Sequence, residues 1–91
     1  MKYEIDLMNV TTKSQFQELI QKSIPCPDYY GRNLDALYDV LTEYCEAVEI
    51  VFLHFQEFLH QLPGYAEAVQ NMCMDAQADN PQLKIIFREE S

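Results

Sequence analysis

Tryptophan is absent from this 91-residue chain, glycine occurs only twice, and six basic residues face fifteen acidic ones. The shortage of Lys and Arg argues against direct nucleic-acid binding, because a phosphate backbone is held by clustered cations that displace its counterions. Anionic membrane surfaces are disfavoured for the same reason. No stretch approaches the roughly 18 apolar residues needed to span a bilayer. The first ten residues alternate charged and apolar side chains and lack the apolar run of a secretory signal. Three cysteines, Cys26, Cys45 and Cys73, make an odd count without paired spacing, which fits a reducing compartment better than a disulfide framework. A soluble cytoplasmic protein is expected.

Repeats, low-complexity tracts and Gly/Ser linkers are also missing, so residues 1–91 read as one domain. Apolar residues make up 48% of the chain, enough for a core despite a net charge of −9. Tyr3 to Leu7 alternates with period two and reads as a strand. Thr11 or Thr12 can cap a helix over about 13–23, with Phe16, Leu19, Ile20 and Ser23 on one face, ended by Pro25 and Pro27. Asn33 caps a second helix over about 34–45, with Leu34, Leu37, Leu41 and Cys45 at spacings of three and four. Glu49 to Leu53 suits a buried central strand. A short helix over about 55–62 stops at Pro63-Gly64, a fourth covers about 65–78, and Leu83 to Phe87 forms a last strand. Arg88 to Ser91 reads as a frayed tail. The fold class is therefore α/β: a small three-stranded parallel sheet with about four helices, in the order β-α-α-β-α-α-β. So small a sheet leaves one helix on the outside, and the second is the candidate.

Charge is not spread evenly. Between Asp28 and Glu49 stand six acidic residues (Asp28, Asp35, Asp39, Glu43, Glu46 and Glu49) and one basic one, Arg32. At about 100° per residue, with Asp35 at zero, Asp39 falls near ~40°, Thr42 near about −20°, Glu46 near ~20°, Tyr38 near about −60° and Glu43 near ~80°. The three leucines lie on the far side. Asp35, Asp39 and Glu43 form two i, i+4 like-charge pairs, each of which weakens a helix by a few tenths of a kcal/mol. A helix selected for stability alone would mix signs here. Tyr29, Tyr30, Tyr38 and Tyr44 surround the stripe, and tyrosine suits protein interfaces by joining apolar area to a polar tip. Gly31 is expected to supply a backbone shape that its turn requires, with positive φ as one such shape. The pattern points to a cationic protein partner.

The stretch Tyr29-Tyr30-Gly31-Arg32-Asn33-Leu34-Asp35-Ala36-Leu37-Tyr38-Asp39-Val40-Leu41-Thr42 resembles the signature of the barstar family, intracellular protein inhibitors of secreted bacterial ribonucleases. Element order and length extend the likeness over nearly the whole chain. The resemblance implies a barstar-like fold and an inhibitor, not an enzyme. Its acidic helix and preceding loop would occlude the active site of a basic ribonuclease or toxin nuclease domain, 1:1, as an immunity protein. By that resemblance Asp39 takes the place of substrate phosphate, Asp35 is a second acidic contact, and Tyr29 packs at the catalytic histidine. Asn33, Tyr38, Thr42 and Tyr44 match further contacts, and Asp75 matches a peripheral one. Glu43 and Glu46 extend the acidic face, Glu43 standing where the family pattern has glycine. Tyr38 and Tyr44 replace tryptophans, and Arg32 adds a positive charge.

Other chemistries fit less well. Asp35 and Asp39 could form an acid–base pair, but a convex helix face offers no dehydrating pocket. His54 and His60, six apart, fall on different helical faces, no cysteine pair has zinc spacing, and no calcium-loop pattern occurs, so no metal or cofactor is expected. Cys45 and Cys73 read as core residues. The alternative function is an acidic binding or regulatory module of the same fold for a basic partner that is not a nuclease.

Overall fold

The structure, a computed structural model, describes residues 1–89. Its strands are β1 (Lys2–Asp6), β2 (Val48–Leu53) and β3 (Leu83–Phe87), and its helices α1 (Lys13–Ser23), α2 (Leu34–Glu43), α3 (Phe55–Gln61) and α4 (Pro63–Asp79). The sheet order is β1-β2-β3, with both pairings parallel and Ile50 of β2 opposite Tyr3 and Ile85. The expected α/β order β-α-α-β-α-α-β is the observed one. Parallel neighbours need long crossovers, and each pair of helices supplies one.

Local chemistry explains the boundaries. Thr12 Oγ1 accepts the Gln15 N–H at 3.1 Å while Gln15 Oε1 accepts the Thr12 N–H at 3.3 Å, a reciprocal cap that starts α1. Pro63 behaves differently from the expectation that it only stops a helix. Leu62 closes α3 and opens α4, and Pro63 is the first residue of α4, where its missing N–H has no partner to lose. In the same way α2 ends at Glu43, two residues earlier than its spacing predicts. The apolar phase is lost there, so Cys45 is exposed and is not a core residue, whereas Cys73 is fully buried. Burial pushes the Cys73 thiol up to about 12, so it remains protonated.

Ile50, Phe52, Ile5 and Ile85 bury against the helices, together with Phe16, Phe58, Val69 and Leu37. The Phe16 and Phe58 rings stack at 5.1 Å, and Phe55 meets Phe87 at 4.7 Å. Val51, whose side chain points the opposite way from those of Ile50 and Phe52, is also fully buried. α1 rests on β1 and α4 on β3, but α2 packs mainly on α4. α3 also packs mainly on α4, so α2 is one of two helices set outside those that rest on the sheet. Among the described residues no helix is long and apolar enough to cross a membrane.

Candidate functional site

The site begins with a clamp at each end of α2. At its start, Asn33 Oδ1 accepts the Ala36 N–H at 2.8 Å, and Nδ2 donates to the Gly31 carbonyl at 3.3 Å. At its end no basic side chain meets the exposed carbonyls. Instead Asn80, the buried C-cap of α4, donates through Nδ2 to the carbonyls of Leu41 and Tyr44 at 3.0 and 3.1 Å, and its Oδ1 accepts the Gln82 N–H. α2 is thereby fixed to the scaffold through its own unsatisfied backbone groups.

The loop before α2 is clamped too. Tyr30 is buried and donates its hydroxyl to Gln17 Oε1, while Gln17 Nε2 donates to the Tyr65 hydroxyl at 2.9 Å. Gln17 lies on the buried side of α1, 3% exposed. Burial raises the Tyr30 and Tyr44 phenols well above their ordinary range and raises that of Tyr65 against the opposing pull of its Gln17 hydrogen bond, so all three stay neutral hydrogen-bonding groups. Next to this anchor, Tyr29 stands 87% exposed. The glycine in this turn has no positive φ; the left-handed residue is Arg32, at φ 56°. At Gly31 the backbone approaches the helix closely, since a Cβ there would sit 3.3 Å from the Ala36 Cβ.

Loop and helix enclose a surface cleft of about 440 Å³ between Pro25, Pro27 and Tyr29 on one side and Asp39, Glu43 and Tyr44 on the other. The acidic face is therefore not simply convex; one edge of it walls a cavity. Of the residues singled out from sequence, Tyr29, Asp39, Glu43 and Tyr44 meet in this cleft. Tyr44 is half-buried, with its hydroxyl donating to the Pro25 carbonyl at 2.9 Å. Asp35 is exposed one turn before Asp39, outside the cleft, so the Asp35–Asp39 pair is not gathered in one cavity. Tyr38 is half-buried against the core, and Thr42 turns its hydroxyl back to the Tyr38 carbonyl at 2.9 Å. Glu46 lies beyond the end of the helix and so leaves the predicted stripe, and Asp75 is exposed on α4 away from the cleft.

Gln17, Tyr65 and Asn80 escaped sequence reading. The one available signal was phase: Gln17 falls beside Phe16 and Ile20 on the face that α1 buries. Among the described residues, no group of three or more His, Cys, Asp or Glu side chains is placed to hold a metal ion.

Comparison with known proteins agrees with this architecture. The family described as "Barstar (barnase inhibitor)" matches residues 1–88. A protein of Bacillus subtilis (strain 168) named "Putative ribonuclease inhibitor YrdF" is 38% identical over 70 residues, which is 75% of this chain and 77% of that protein. With the family matched from the first strand to the last, and the element order its fold requires, the chain belongs to the barstar family.

Proposed function

We propose that this chain inhibits a basic ribonuclease, or a toxin with a ribonuclease domain, by seating α2 and the Pro27–Asn33 loop in the nuclease active site. The observation that carries this reading is the exposed row Asp35, Asp39 and Glu43 on a helix clamped at both ends, beside a cleft walled by Tyr29. A ribonuclease holds RNA phosphates with cationic side chains, and a fixed carboxylate offers them the same charge-assisted, often bidentate bonds. Rigid presentation matters because a carboxylate that is already placed loses little freedom on binding. One such face per chain gives a 1:1 complex. The chain itself does not bind RNA, acts as a single domain over residues 1–91, and serves in the cytoplasm as an immunity protein.

Within that interface the roles differ. Asp39 and Glu43 enter at the cleft, Asp35, Asn33, Tyr38 and Thr42 contact along the helix, Tyr29 and Tyr44 supply aromatic surface, and Glu46 and Asp75 lie at the rim. The test is RNA cleavage by a panel of basic ribonucleases, barnase among them, titrated with the chain. Inhibition by the wild type should weaken at least a hundredfold in Asp39→Ala, since cations desolvated against it lose their partner, about 3–5 kcal/mol. Asp75→Ala, a solvated rim change, should cost about 1 kcal/mol or less. Full inhibition by Asp39→Ala would overturn the placement of Asp39. Recovery of a basic partner without nuclease activity, with every ribonuclease left uninhibited, would favour a binding module.

A further inference from the structure

A second groove, of about 410 Å³, opens where the N-terminal ends of α1 and α2 come together, and it is basic. Lys13, Ser14, Arg32, Asn33 and Tyr65 are among its walls. Two of the six basic residues of an acidic chain thus share one cavity. Among the described residues, the ion pairs involve Lys2, Lys22 and His54, and neither Lys13 nor Arg32 takes part in one.

The Lys13 ammonium is held against an aromatic ring, and the Arg32 backbone is held in an uncommon conformation. Lys13 Nζ lies 5.4 Å from the centre of the Tyr65 ring, a cation–π arrangement, and Tyr65 is itself fixed by Gln17. Arg32 sits at φ 56°, a left-handed conformation that a non-glycine residue adopts at some energetic expense, although a glycine stands next to it in the chain. The caps of the two helices satisfy the Gln15 and Ala36 N–H groups, and both helix ends carry positive partial charge at the groove.

We propose that this groove is a carboxylate-binding subsite, which receives an Asp or Glu side chain of the inhibited nuclease. Ownership of that carboxylate rests on the inhibitor reading; the anion chemistry does not. A polyanion such as RNA laid across the groove would meet Asp35 and Asp39 within a turn or two, in a chain of net charge −9. A single carboxylate on a mixed-charge protein surface avoids that repulsion. Arg32, Asn33 and Leu34 form one wall of the groove, so a nuclease seated on the loop and the first turn of α2 reaches its edge. The planar guanidinium fork fits a carboxylate bidentately. Nucleases with a neutral or basic residue at the opposing position are thereby disfavoured.

Simple charge arithmetic predicts the opposite effect, which makes the proposal testable. Removing a positive charge from an inhibitor of basic nucleases should strengthen binding if Arg32 only adds repulsion. The subsite predicts a loss of about tenfold in inhibition for Arg32→Asn, with a similar loss for Lys13→Gln. Asn tolerates left-handed backbone, so the turn survives the first change. Unchanged or tighter inhibition by either variant would overturn the subsite. An arm without any nuclease keeps the two readings apart: ¹⁵N NMR of the chain titrated with sodium acetate, and separately with sodium phosphate, at constant ionic strength made up with chloride. Saturable shifts at the Lys13, Ser14, Asn33 and Leu34 amides, lost in the Lys13→Gln/Arg32→Asn double variant, are expected with acetate. Saturation by phosphate alone, shifts that survive the double variant, or no saturation at all would each overturn the assignment, whether or not a nuclease is inhibited.

Discussion

Asn80 illustrates how one polar side chain can fix an outer element. Its amide closes two carbonyls of the α2 terminus and its oxygen holds the Gln82 N–H, all at a site where it is only 5% exposed. Replacing it by Ala leaves those carbonyls with no partner in a place that water reaches poorly, a loss of about 2–3 kcal/mol. For a domain of this size that corresponds to a fall in Tm of roughly 10–20 °C, measurable by circular dichroism. Asn80→Asp should be no better, because its carboxylate would face the same two carbonyl oxygens. A second residue-scale consequence concerns acid. The Asp6 carboxylate accepts the Met8 N–H at 2.9 Å and meets His54 Nδ1 at 2.9 Å, and these contacts, the backbone bond first, hold its pKa below the usual 3.8. The folded value is the lower one. Asp6 therefore contributes stability that is fully present above the usual carboxylate range and disappears as pH falls through the lowered folded value. Urea midpoints of the wild type and Asp6→Asn should differ at pH 6 and converge toward pH 2. A constant gap across that range would show that the carboxylate is not the group responsible.

At the scale of elements, α2 is held by its own cap at one end and from outside itself at the other. Its two like-charge pairs and its acidic last turn work against it, while Asn33 and Asn80 hold its ends. Such an arrangement predicts a trade between stability and binding. Glu43→Gln removes repulsion with Asp39 and a negative charge at the negative end of the helix, and should raise stability by about 0.5 kcal/mol. It should also weaken nuclease inhibition, because Glu43 walls the cleft with Asp39. A variant that gained stability and kept full inhibition would place Glu43 outside the interface. These elements also show what a sequence discloses. Strands β1 and β3, helix α1 and the Asn33 cap follow from periodicity and local hydrogen bonding, which neighbours along the chain determine. The acidic face of α2 was legible for the same reason. The cleft was not, because it depends on Tyr44 turning inward to Pro25 and on Tyr30 reaching Gln17, thirteen residues earlier. Asn80 and Tyr65 likewise acquire their roles only from partners distant in sequence. The junction at Leu62 was misread because proline was weighed as a terminator, although it begins helices equally well.

For the whole molecule, the net charge of −9 has a direction: the segment from Asp28 to Glu49 alone carries −5, and within it α2 is exposed on one side of a body measuring 33 × 26 × 20 Å. Under the proposed function, a basic nuclease approaching from solution would be attracted before any contact forms, over a range set by screening. That range shrinks from about 30 Å at 0.01 M salt to about 3 Å at 1 M. The association rate should accordingly fall at least tenfold across that interval, whereas dissociation, governed by desolvated contacts, changes far less. Stopped-flow mixing at several salt concentrations separates the two rates. Position matters as well as amount. Neutralising Asp39 and Glu43 together should slow association and speed dissociation, while neutralising Glu57 on α3 and Glu67 on α4, an equal change in net charge outside the cleft, should alter association by less than about twofold in 0.15 M salt and leave dissociation unchanged. Equal effects from the two pairs would mean that the partner responds to total charge, and that the clamped helix has no privileged place in recognition.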